Sequence, residues 1–123
     1  MSTFLYLYRS CSSCREAETF LREHDVVFIT REYFKDRFAE SELWEVLRTA
    51  GMQPSALVSR RSKVFRDQGL GEIDVSEEEW VSRMLDEPTL IRRPILVRGD
   101  QVVVGFKRQT YESLFMASGT ACE

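Results

Sequence analysis

The sequence predicts an α/β fold: a mixed four-stranded sheet in the order βαβ…ββα, with a helical insertion between its two halves. Three observations carry this. The chain opens on an aromatic and aliphatic run, Thr3-Phe4-Leu5-Tyr6-Leu7-Tyr8, followed by a helical stripe and a second apolar run, residues 26–30. Near the end, two strand-like runs flank Gly99-Asp100, as in a hairpin. Between these ends, the apolar residues recur at helical rather than strand spacing.

In chain order, residues 3–8 read as a buried strand. Arg9 to Ser13 form the turn after it, and a helix begins near Ser12. Cys14, Ala17 and Leu21 share one face of that helix, with Phe20 beside them, and it ends near His24-Asp25. Residues 26–30 (Val-Val-Phe-Ile-Thr) form the next strand, and the strand–helix–strand spacing makes the two strands parallel. Leu43, Val46, Leu47 and Ala50 mark a second helix, capped by Gly51. Residues 53–70 are less periodic and hold the cluster Arg60-Arg61-Ser62-Lys63. Ser76-Glu77-Glu78-Glu79 has the capping-box spacing and opens a helix with Trp80, Val81, Met84 and Leu85 as its apolar face. Asp86-Glu87-Pro88 stops it. Residues 95–98 and 101–106 read as the hairpin, and a last helix spans about 109–117. The expected organisation is one domain, 1–123, with a core of 1–35 and 92–117, an insertion of 36–91 and a frayed tail, 118–123. This is the thioredoxin-like order of elements.

The 123 residues are 43% hydrophobic and 30% charged, an ordinary balance for a globular chain. Mean hydropathy is -0.30, and no apolar run reaches membrane-spanning length, so no membrane association is expected. The start has no basic n-region, so a cytoplasmic location is expected. A net charge of -3 gives no global basic field, and direct nucleic-acid binding is not expected.

The three cysteines are Cys11, Cys14 and Cys122, and the single histidine is His24. A structural zinc site needs four such ligands in reach, so no metal is expected. The Cys11-Ser12-Ser13-Cys14 motif at a strand-to-helix turn reads instead as a redox pair. Unpaired N–H groups and the helix dipole stabilise a thiolate at Cys11, Ser12 and Ser13 add hydroxyl donors, and Arg9 and Arg15 add nearby positive charge. Cys14, one turn on, is placed to resolve a mixed disulfide on Cys11. Pro94, opening a strand after Arg92-Arg93, suits a cis peptide, although a trans proline is the default at a strand start; if cis, it presents residue 93 to the sulfurs, where Arg93 stabilises a thiolate, an oxyanion or a disulfide. Alternation then directs Arg92 away. His24 is expected to compensate the helix dipole, and Cys122 to be incidental.

Cys11-Ser12-Ser13-Cys14-Arg15, Arg61-Ser62-Lys63-Val64-Phe65, Leu90-Ile91-Arg92-Arg93-Pro94-Ile95 and Val104-Gly105-Phe106 occur in that order. In these motifs the chain resembles the arsenate reductase (ArsC) and Spx family over roughly residues 3–115. The resemblance implies a thioredoxin-like domain with a helical insertion and a cis proline at Pro94. It implies either of two activities. Arsenate reductases attack arsenate with the first cysteine among three arginines; Cys11 and Arg93 match. The other two arginine positions fall at Ser59, beside Arg60, and at Phe106, beside Lys107, so Arg60 and Lys107 are the expected substitutes. A thiol reductant (glutathione, glutaredoxin or thioredoxin) is then the partner, with no cofactor held by the chain. Spx regulators bind the C-terminal domain of the RNA polymerase α subunit under control of a CxxC disulfide; Cys11, Cys14, Arg61 and Arg93 match.

Overall fold

A computed structural model describes residues 2–121. Strand β1 (Thr3–Leu7) leads into helix α1 (Ser12–Glu23) and strand β2 (Ile29–Glu32). Helices α2 (Glu40–Ala50), α3 (Pro54–Leu57), α4 (Lys63–Asp67) and α5 (Glu77–Asp86) follow. Short 3₁₀ turns lie at Leu70–Glu72 and Pro88–Leu90. Strands β3 (Ile95–Arg98) and β4 (Gln101–Val104) and helix α6 (Arg108–Ala121) complete the chain.

The strands form one mixed sheet, ordered β2-β1-β3-β4. β1 runs parallel to β2 and antiparallel to β3, with Leu5 opposite both Thr30 and Leu96. β3 and β4 pair antiparallel, Leu96 opposite Val103. Alternation along the strands divides the core between the two faces. Leu5, Leu7, Leu96 and Val103 pack with Cys14, Ala17, Phe20, Leu21 and Tyr111, from α1 and α6. Tyr6, Ile95, Val97, Val102 and Val104 pack with Tyr33, Phe38 and the apolar faces of α2 to α5. Chain passing through the insertion therefore covers the face that α1 and α6 leave open.

Four expectations are corrected. β2 begins at Ile29 and runs to Glu32, later than residues 26–30. The cause lies at the end of α1, where Asp25 turns left-handed (φ 56). The Asp25 and Val26 N–H groups then donate back to the carbonyls of Arg22 and Leu21. This Schellman closure takes Val26 out of the strand, and Val27 is exposed. At α5 only half of the capping box forms: the Ser76 hydroxyl accepts from the Glu79 N–H, while the Glu79 carboxylate pairs with Arg83. β4 stops at Val104, because Gly105 takes φ 83 and its N–H donates to the Pro94 carbonyl. α6 continues to Ala121 through the first part of the expected frayed tail, with no proline to break it. Cys122, with the expectation attached to it, lies outside the described residues.

Candidate active site

β1 delivers the chain to the top of the sheet, and α1 starts there. Cys11 is the N-cap of α1, with extended backbone (φ -86, ψ 128) and no side-chain cap. Its N–H donates to the Tyr8 carbonyl at 2.9 Å, and its carbonyl accepts from Arg15 at 3.1 Å. The sulfur therefore sits where the first-turn N–H groups of a helix are unsatisfied. Cys14 is fully buried, and its Sγ accepts from the Tyr8 N–H at 3.4 Å. Both cysteines are free thiols.

These positions push the two thiols apart. Partial burial opposes ionisation of Cys11, but the N–H of Cys14, the Cys14 thiol, the N–H of Ser13 and the charge of Arg93 outweigh it, and its pKa falls below the ordinary value. Cys14 is pushed up to about 12, first by burial and then by the neighbouring Cys11. Cys11 is thus the more readily ionised of the two thiols, and Cys14 keeps its proton and offers it to the Cys11 sulfur. The donors at Cys11 are the backbone N–H groups of Ser13 and Cys14 and the Cys14 thiol, not the serine hydroxyls. Nor do Arg9 and Arg15 supply the charge. Arg9 is held by Glu18 and Glu32, each at 3.4 Å, and Arg15 donates to the Arg9 carbonyl.

Cys11 and Ser13 open into a cleft of about 690 Å³ lined also by Arg60, Arg61, Arg92, Arg93, Ser55 and Ser59, with no carboxylate among its lining residues. Main-chain ties between distant segments build this wall. Val58 bridges to Ile91, the Ser59 N–H donates to the Leu90 carbonyl, and the Arg92 N–H donates to the Leu57 carbonyl. The buried Ser62 hydroxyl meets the Thr89 hydroxyl at 3.1 Å. The Arg60-Arg61 loop is thereby held against the Arg92-Arg93 segment. The Arg60 guanidinium lies over the Phe65 ring, 5.4 Å from its centroid.

The Arg93–Pro94 peptide is cis, and Pro94 is buried behind the cleft rather than lining it. Both Arg92 and Arg93 line the cleft, against the expected alternation, because β3 starts only at Ile95. Their environments differ. Arg92 is exposed and donates to the Ala56 carbonyl at 3.2 Å. Arg93 is half-buried, donates from Nη1 to the carbonyls of Thr89 and Ile91, each at 3.3 Å, and acts on both sulfurs. Lys107 does not line the cleft: the turn at Gly105 leaves Gly105 and Phe106 in the wall and carries Lys107 out to the exposed start of α6. His24 donates from Nδ1 to the Phe20 carbonyl at 2.9 Å and stacks on the Phe20 ring, a helix-end role.

Tyr33 and Phe34 carry no signal in the sequence beyond an aromatic pair after a strand. In the structure Tyr33 is fully buried and donates to the Ile91 carbonyl at 3.2 Å, and the Phe34 ring lies 5.6 Å from the Arg93 guanidinium. Only the tertiary fold brings them to Arg93.

A sheet of this order, with a CxxC pair at the start of its first helix and a cis proline before its third strand, defines a thioredoxin-like domain. Residues 6–114 match the ArsC family, and the chain belongs to it. The global transcriptional regulator Spx 2 of Bacillus cereus is 30% identical over 105 residues, covering 85% of this chain and 80% of that protein. A Bacteroides fragilis protein described as ArsC family related superposes with a TM-score of 0.83 at 26% identity, over 93% of this chain and 99% of that one. An arsenate reductase (ArsC) related protein from Brucella melitensis gives a TM-score of 0.71 at 26% identity, over 94% and 95% of the two chains.

Proposed function

We propose that this protein is a two-cysteine thiol oxidoreductase that reduces a small oxyanion or a disulfide. One observation carries the reading: the N-cap thiol of α1 opens into a cleft lined by four arginines and no carboxylate. Such a cleft attracts an anion and holds it beside a thiolate. On a disulfide, the Cys11 thiolate attacks one sulfur, breaks the S–S bond and expels the other half as a thiolate. Cys14 then gives up its proton and attacks the Cys11 sulfur. The second half leaves as a thiolate, a Cys11–Cys14 disulfide forms, and two electrons have passed to the substrate. On a protonated oxyanion, the Cys11 thiolate bonds to the central atom and a hydroxyl leaves as water with a proton from solvent. Cys14 then gives its proton to solvent and attacks the Cys11 sulfur, the bond from that sulfur to the central atom breaks, and its electron pair leaves the atom reduced by two electrons. An external thiol reductant (glutathione, glutaredoxin or thioredoxin) returns the pair to the dithiol. The high pKa of Cys14 keeps it protonated during the first step; once Cys11 is bonded, the part of that shift due to Cys11 is removed, and Cys14 loses its proton more readily for the second.

The test is turnover of arsenate and of a small-molecule disulfide, coupled to each reductant in turn. Turnover by the wild-type chain and none by Cys11→Ser is expected. No turnover of either substrate with any reductant sinks the reading. A second reading, a redox-sensing regulator that binds the RNA polymerase α subunit, is favoured by the 30% identity to Spx 2 over most of both chains. It predicts that polymerase is retained by the chain in only one redox state.

A further inference from the structure

We infer that Tyr33 is a positioning residue: its hydroxyl, with the Ile91 carbonyl, seats the Arg93 guanidinium beside the cysteine pair and so sets the reactivity of Cys11. Tyr33 lies just past the end of β2, far in sequence from both cysteines and from Arg93. It is fully buried, stacked on Phe38 at 5.5 Å between ring centroids and edge-on to Phe34 at 5.1 Å. A hydroxyl in such an apolar cluster needs partners, and a phenylalanine would fill the same space without that requirement. Its proton goes to the Ile91 carbonyl at 3.2 Å, and the same carbonyl accepts from Arg93 Nη1 at 3.3 Å.

With its proton committed to Ile91, the Tyr33 oxygen has only lone pairs left to offer, and the charge of Arg93 acts on it. Arg93 is therefore held on three sides. The carbonyls of Thr89 and Ile91 take Nη1, the Tyr33 hydroxyl fixes that Ile91 carbonyl from its other side, and the Phe34 ring centroid lies 5.6 Å from the guanidinium. No carboxylate pairs with it among the described residues, so its charge is spent on the cleft and the two sulfurs. An arginine side chain left to itself samples many rotamers; fixing it beforehand turns a nearby charge into a directed one.

This inference rests on Cys11 being the attacking thiolate, and the experiment separates the two claims. The rate of iodoacetamide alkylation at Cys11 and at Cys14 is followed against pH by peptide mass spectrometry. The proteins are the reduced full chain and the variants Tyr33→Phe, Tyr33→Met, Arg93→Ala and Tyr33→Phe/Arg93→Ala. Arg93→Ala is expected to slow Cys11 at neutral pH about tenfold and Tyr33→Phe about threefold, each by moving the profile to higher pH. Tyr33→Met, of similar reach and without a hydroxyl, is expected to agree with Tyr33→Phe, and the double variant to match Arg93→Ala alone. A shifted Arg93→Ala profile with an unmoved Tyr33→Phe profile overturns the inference, and so does a double variant that adds the two effects. Faster labelling of Cys14 than of Cys11 in the wild-type chain instead overturns the underlying assignment of the thiolate.

Discussion

Two groups of arginines lie near the start of α1, and they are used in opposite ways. Arg9 and Arg15 flank Cys11 in sequence, but Arg9 is tied to Glu18 and Glu32 and Arg15 to a backbone carbonyl. Arg60, Arg61, Arg92 and Arg93 lie far from Cys11 in sequence, yet they line its cleft without a carboxylate among them. Proximity along the chain places a charge; the carboxylates around it decide whether that charge is free to act. The insertion supplies Arg60 and Arg61 and holds their loop against the Arg92-Arg93 segment, where the core resumes.

The largest effect separates the two cysteines. At neutral pH, Cys11 should alkylate at least about a hundredfold faster than Cys14, because one is a half-exposed thiol with a lowered pKa and the other is buried with a raised one. Cys11→Ser should abolish the fast phase, and Cys14→Ser should keep it. Equal rates would break the contrast.

The arginines come next. Arg93→Ala should slow reductase turnover about tenfold, while Arg92→Ala and Arg9→Ala each change it less than about twofold. A loss with Arg9→Ala as large as with Arg93→Ala would show that the sequence neighbours act after all.

A smaller effect appears in alkaline stability. Cys14 has a raised folded pKa, so the native state holds its proton where the unfolded chain has lost it. Its contribution is full below the ordinary thiol value of 9.0 and is lost as pH rises from there toward about 12. Buried Tyr33 and Tyr111 are raised in the same direction, chiefly by burial. Urea midpoints should therefore fall between pH 9 and 11, less steeply in Cys14→Ala. A steeper fall in Cys14→Ala would contradict the burial argument. The smallest change is Arg9→Ala at neutral pH, about 0.5 kcal/mol at most, since its pairs are partly exposed. A loss of several times that in urea denaturation would mean that the flank is structural.

Much of this was readable in the sequence. The apolar runs of β1 and β3, the stripe of α1, the Gly51 cap and the Cys11–Cys14 spacing are local signals, and the structure places each as expected. Two of the misses share a cause. The cap at Asp25 and the turn at Gly105 depend on backbone φ values that no apolar pattern records, and they displaced β2 and Lys107. Tyr33 reaches Arg93 only through the tertiary fold, because Ile91, which both touch, follows the whole insertion in sequence.

The central claim is that Cys11 and Cys14 act as one redox unit. Peptide mapping of the mildly oxidised full chain tests it most directly. A dominant Cys11–Cys14 bridge with Cys122 free is the predicted result, and a dominant bridge from either residue to Cys122 would contradict it.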